Sequence, residues 1–99
     1  MMIPQFNFDD LDDLDKAFDR VNANRDAMSR RVVDAIEYGI EQDLPSVYLF
    51  DIILKDGTNY TMRCPRSEWT NSLAEAIFYF EEIEEYERCA DIKRLINLV

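Results

Sequence analysis

Val47-Tyr48-Leu49-Phe50-Asp51-Ile52-Ile53-Leu54, then Lys55-Asp56-Gly57-Thr58, then Asn59-Tyr60-Thr61-Met62-Arg63-Cys64, is the stretch on which the fold reading turns. The first run is dense in β-branched and aromatic residues and reads as a strand. Asp56-Gly57 supplies the positive φ that a tight hairpin turn needs. The third run returns as a second strand, with Tyr60, Met62 and Cys64 on one face and Asn59, Thr61 and Arg63 on the other. Strict alternation along the first strand puts Tyr48, Phe50, Ile52 and Leu54 on one face. Val47, Leu49, Asp51 and Ile53 then fall on the other. Three of those four outward positions are apolar, which is unusual for a hairpin covered by helices on one side. Either the long first helix covers one face and the C-terminal helices the other, or the hairpin meets a second copy or a partner. In the second case Val47, Leu49 and Ile53 are the candidate self-association residues, and a homodimer is the second functional reading.

Upstream, Leu11, Leu14, Phe18, Val21, Met28, Val32, Ala35, Ile36 and Ile40 recur at helical spacing. Asp9 and Asp10 offer N-cap chemistry, and Pro45 disfavours helix just before it. The reading favours one long helix of about 30 residues over two helices broken at Asn22-Ala23-Asn24, where propensity is weakest. Residues 1–8 form an apolar arm, and residues 9–99 form one domain. Downstream, Ser67 is the chosen N-cap, ahead of a capping box at Ser72 to Glu75. Trp69, Leu73, Ala76, Ile77 and Phe80 make one helical stripe, which places Trp69 and Phe80 in the core. The stripe changes phase after it, so a break near Glu82–Tyr86 and a final helix to about Leu98 are expected. The expected fold class is thus α+β: a long N-terminal helix, a two-stranded antiparallel hairpin and two C-terminal helices.

The chain of 99 residues fits a single domain that buries only roughly 60–65% of its unfolded surface. Histidine is absent, which removes the usual neutral-pH proton carrier and the commonest zinc ligand. Glycines only at Gly39 and Gly57 rule out a Gly-rich phosphate loop. Cys64 and Cys89 lack Cys-x-x-Cys spacing and read as reduced thiols without a disulfide. No catalytic site, metal or cofactor is expected. With no signal-like start and no apolar run near the roughly 20 residues of a membrane span, a cytoplasmic protein is expected.

The formal charge of −10 is unevenly spread. Residues 1–24 carry −4, residues 25–43 carry −2, residues 44–66 carry +1 and residues 67–99 carry −5. Asp9, Asp10, Asp12, Asp13, Asp15 and Asp19 make one cluster, and Glu81, Glu82, Glu84, Glu85, Glu87 and Asp91 make another. Helical carboxylates three or four residues apart stand about 5–6 Å from one another, in the range of adjacent nucleic-acid phosphates. Arg25, Arg30 and Arg31 are surrounded by Asp26, Asp34 and Glu37, so internal ion pairing is expected of them and direct nucleic-acid binding is not. Solvation alone is the plain explanation of the acidic rows. The functional one uses Asp12, Asp15, Asp19, Glu81, Glu84 and Glu85 to bind a basic surface of a partner protein.

In composition, a short, histidine-free, acidic α+β chain with these two clusters resembles the small phage and mobile-element proteins that inhibit host enzymes, anti-restriction and anti-CRISPR proteins among them. The resemblance spans the whole chain and carries no sequence motif. It implies an inhibitor or adaptor in the host cytoplasm that occludes a nucleic-acid-binding site by mimicking DNA.

Overall fold

A computed structural model describes residues 3–99 as β1 (Gln5–Asn7), α1 (Leu14–Asn22), α2 (Arg25–Glu41), β2 (Ser46–Ile53), β3 (Asn59–Pro65), a single 3₁₀ turn (Arg66–Glu68), α3 (Trp69–Glu82) and α4 (Tyr86–Ile96). The class is α+β, but the expected architecture is corrected in two places. The sheet has three strands in the order β1-β2-β3, with β1 parallel and β3 antiparallel to the central β2. The long N-terminal helix is two helices.

The helix break has a local cause. Asn24 N–H bonds the Val21 carbonyl at 3.2 Å, and its side chain accepts from Ala27 N–H at 3.2 Å. Asn24 thereby satisfies an amide that an uninterrupted helix would pair with its own backbone, and it restarts the chain as the N-cap of α2. The start of α1 is also later than Asp9-Asp10: Asp13 is its N-cap, accepting from Asp15 N–H at 2.9 Å. Part of the apolar arm becomes β1, whose backbone is tied to β2 from Pro4 O to Phe8 N.

The sheet face is set by a bulge. Tyr48 pairs with Arg63 and Phe50 with Met62, so Leu49 is an extra residue with no partner on β3. One extra residue inverts the alternation. Val47 therefore joins Phe50, Ile52 and Leu54 on the buried side, and Tyr48 turns out to solvent. The other face carries Gln5, Asn7, Tyr48, Asp51, Ile53, Asn59, Thr61 and Arg63 and is mostly polar, as a sheet covered on one side should be. At the far end of the hairpin, Gly57 alone takes positive φ (85°), closing a three-residue Lys55-Asp56-Gly57 loop through Gly57 N–H to Leu54 O at 2.9 Å.

Two apolar clusters lie on the covered side. Phe8, Ala17, Val21, Phe50, Ile52 and Leu54 form one under α1, and Phe6, Leu14 and Met28 pack against it. The other joins α2, α3 and α4 through Val33, Ile36, Val47, Trp69, Leu73, Phe80, Cys89 and Ile92. Leu49 packs against both. Trp69 and Phe80 are fully buried, and the Trp69 indole N–H donates to Cys64 O at 3.0 Å. Gly39 lets α2 close over this second cluster: a Cβ there would stand 2.5 Å from Val47 Cγ1 and 2.7 Å from Trp69 Cη2.

Both α2 and α3 end in a residue of positive φ, Asp43 (51°) and Glu84 (62°). In each, the next amide returns to a carbonyl five residues back, Leu44 N to Gly39 O and Glu85 N to Phe80 O, both at 2.9 Å. This Schellman closure prefers glycine. The α3 closure forms the expected break near Glu82–Tyr86.

Two stability changes follow. Gly39→Ala is expected to lower stability by about 1–2 kcal/mol, the overpacking cost less the helix-propensity gain. Glu84→Gly is expected to raise stability by about 0.5–1 kcal/mol by removing the left-handed strain. Asp43→Gly gains less, because Asp43 also pairs with Arg66 at 3.1 Å. Thermal melts of the three variants against the parent check all of this.

Candidate macromolecule-binding surface

The acidic rows acquire different standing once their basic neighbours are placed. Arg30 Nε bonds both Asp26 carboxylate oxygens at 3.1–3.2 Å, and its terminal nitrogens grip both Glu85 oxygens, one at 3.3 Å. The same guanidinium lies 5.2 Å from the Phe80 ring centroid. Arg25 reaches Glu82 at 3.1 Å and stacks over Tyr79 at 5.2 Å, and the Tyr79 hydroxyl donates to Asp26 at 2.6 Å. These contacts clamp the N-terminal half of α2 to the C-terminal end of α3. They also hold the Asp26 carboxyl below its ordinary range, with the Arg30 hydrogen bond the largest cause and the Tyr79 hydrogen bond next. The Arg30 guanidinium is raised, by Glu85 first and Asp26 second.

The six expected partner-binding carboxylates therefore divide. Glu85 is half-buried and engaged by Arg30, so it serves as an internal clasp. Glu81 and Glu84 are exposed, and no ion pair to either is present among the described residues. Glu87 shares that condition. Asp12 lies in the exposed loop before α1, while Asp15 and Asp19 stand one turn apart on the outer side of that helix. The inner side is given by Leu14, Ala17 and Val21. Asp10 is neutralised by Arg20 at 3.1 Å and Asp91 by Arg94 at 3.1 Å. A third exposed set, Asp34, Glu37 and Glu41, follows α2 at helical spacing. Its 3–4 spacing is readable in the sequence, but its acids are spread along the helix and form no cluster there.

The turn from α3 to α4 combines charge with apolar groups. Glu84, Glu85, Tyr86, Glu87, Arg88 and Asp91 line an open concavity of about 590 Å³. Tyr86 is 61% exposed and Ile83 is also exposed. Phe78, 67% exposed, stands one turn before Glu81 and Glu82 on α3. Tyr86 is of a residue type enriched among binding hot spots.

The candidate self-association residues are dispersed by the bulge. Val47 is 4% exposed and belongs to the core, and Leu49 bridges the two clusters beneath the sheet. Ile53 remains on the open face, half-buried. Cys64 and Cys89 are buried free thiols whose pKa values are raised by burial. Among the described residues no cluster of histidine, cysteine or carboxylate side chains could hold a metal ion, and no helix is long and apolar enough to cross a membrane.

The depressed Asp26 pKa fixes a sign for the pH dependence. A carboxylate depressed on folding stabilises the native state above its unfolded pKa, and that contribution is lost as pH falls through the folded value. Asp26→Asn should thus melt below the parent at neutral pH. The gap should narrow as pH falls below the ordinary aspartate range, where the unfolded chain's Asp26 protonates first, and close once the folded protein's Asp26 has protonated too. Melting curves of both proteins at several pH values test this. The chain matches no protein-family model, no curated protein and no solved structure.

Proposed function

We propose that this protein is an acidic binding domain that occupies a basic site on a partner protein. The observation that carries the reading is the α3–α4 turn, where un-neutralised Glu84 and Glu87 line one concavity with exposed Tyr86, and un-neutralised Glu81 and exposed Ile83 precede it in the chain. The carboxylates supply long-range attraction and orientation, and Tyr86 supplies an anchor that is desolvated on contact. The row Asp12, Asp15 and Asp19 on the α1 side is a second contact of the same sign.

The finer form of the reading is an inhibitor that mimics DNA, blocking a nucleic-acid-binding enzyme by steric occlusion, in the manner of the small acidic phage proteins its composition resembles. Its support is the pair Asp15 and Asp19, which as i,i+4 residues of α1 hold their carboxylates about 5–6 Å apart. Arg25 and Arg30 are paired with Glu82, Asp26 and Glu85, so neither is among the neighbours that could neutralise Glu81, Glu84 or Glu87.

Capture of a partner from a bacterial lysate, eluted along a salt gradient, tests the reading. Retention should weaken steeply between low and physiological ionic strength. The triple charge reversal Glu81→Lys, Glu84→Lys and Glu87→Lys should abolish capture, and Glu75→Lys on the upstream part of α3 should leave it largely intact. A partner retained equally at all salt concentrations, or equally by the charge-reversed protein, would overturn the proposal.

A further inference from the structure

The two edges of the sheet are built differently. β1 is three residues long and follows Pro4, so it offers little to an incoming strand. β3 is seven residues long, and no strand among the described residues pairs with its outer side. Which of its backbone groups face outward can be read from β2. Asp51 N–H donates to Pro4 O and Ile53 O accepts from Phe8 N–H, both at 2.9 Å, so these two residues direct their backbone groups toward β1. Their partners across the hairpin, Thr61 and Asn59, are then the non-hydrogen-bonded members of the antiparallel ladder and point their own N–H and C=O away from β2. Alternation adds Arg63 to the row, and Pro65, which has no N–H, ends it. Asn59, Thr61 and Arg63 are exposed, Tyr60 is 38% exposed and Met62 is half-buried.

We propose that two copies of this chain pair along β3, antiparallel, about a two-fold axis at Thr61, joining two three-stranded sheets into one of six strands. The register is self-complementary. With Thr61 facing its own symmetry mate, Asn59 faces the second copy's Arg63, and the three outward residues of each strand meet as hydrogen-bonded pairs. Tyr60 then lies opposite Met62 of the other copy, which covers the two partly exposed apolar groups of the edge. No charge faces a like charge in that register.

Electrostatics opposes a second copy less at this edge than at the acidic helices. Two molecules of formal charge −10 repel at most approaches, and residues 44–66, at +1, contrast with the −4 of residues 1–24 and the −5 of residues 67–99. Net repulsion between the copies still opposes the dimer, so added salt should strengthen it, the reverse of its effect on a basic partner.

Sedimentation velocity of the full chain across a concentration series, at low and high salt, is the first measurement. A dimer whose population rises with salt is expected. Thr61→Lys places two lysines face to face on the axis, while in the monomer the new side chain lies beside Asp51, which now accepts a 2.6 Å hydrogen bond from the Thr61 hydroxyl. It should raise the dissociation constant by up to about fivefold. Amide hydrogen exchange of the unmutated protein is the independent readout. Asn59, Thr61 and Arg63 should gain protection with concentration, while Tyr60 and Met62, already bonded to β2, should not. A chain that stays monomeric at every concentration and salt overturns the proposal. So does a dimer in which those three amides exchange as fast as in the monomer, which would assign the contact to another surface or to another occupant of this edge.

Discussion

The bulge at Leu49 is the constraint on which the remaining architecture depends. A bulge leaves carbonyl groups outside the regular ladder, and buried carbonyls need donors. Here Arg31 of α2 supplies them: its Nε bonds Leu49 O at 2.6 Å and a terminal nitrogen bonds Tyr48 O at 2.8 Å. Burial disfavours the charged guanidinium and lowers its pKa, so charge-assisted bonds have to offset a real desolvation cost. In return α2 is pinned across the strand at the point where the face inverts. Val47 can then serve the α2–α3–α4 cluster while Phe50 and Ile52 serve the α1 cluster, with Leu49 between them.

A second group of arginines organises the helices in the same economical way. Arg25 and Arg30 each combine an ion pair with an aromatic ring, so one side chain contributes both packing and electrostatics. Arg66 repeats the pattern at the other end of the core, stacking over Trp69 at 5.0 Å while bonding Asp43 and Leu44 O. Such exposed pairs are individually weak, and their importance here lies in geometry more than in stability. Each arginine turned toward a neighbouring helix is one fewer cation available to neutralise the outer faces. At the α3–α4 turn, Arg30 is spent on Glu85 and Arg25 on Glu82, leaving Glu81, Glu84 and Glu87.

What the sequence made legible follows from how local each signal is. The hairpin, its Asp56-Gly57 turn, the Trp69–Phe80 stripe and the phase break after Glu82 are all encoded within a few residues, and the structure contains them. β1 was not legible, because three residues carry no period and its parallel pairing joins Gln5 to Asp51 across two helices. The helix break was visible as weak propensity at Asn22-Ala23-Asn24. What decided it was a side-chain cap, which competes with helix propagation at a single position. The bulge left no trace in a period-two pattern except its consequence, an apparently apolar second face. That anomaly was real information wrongly assigned: Val47 was inward, and the alternation had slipped by one. Among the acids, the rows were legible, but the separation of Glu85 from Glu84 depends on a partner 55 residues away.

The sheet edge and the acidic surface also constrain each other physically. An acidic domain gains solubility from self-repulsion, and self-repulsion is what keeps an uncovered strand edge from nonspecific aggregation. Charge then acts as the edge's protection in place of the lysines, prolines or short length that guard other sheets. β1 has the last two of these devices, whereas β3 has only Arg63 and the terminal Pro65. If two copies pair there, the α3–α4 turns become a symmetric pair of acidic surfaces carried by one continuous sheet. A partner with two basic sites, or one long basic groove, would gain from engaging both through effective concentration alone. Such a gain requires the span between the two turns to match the spacing of the basic sites, so rigidity of the joined sheet would become a determinant of specificity.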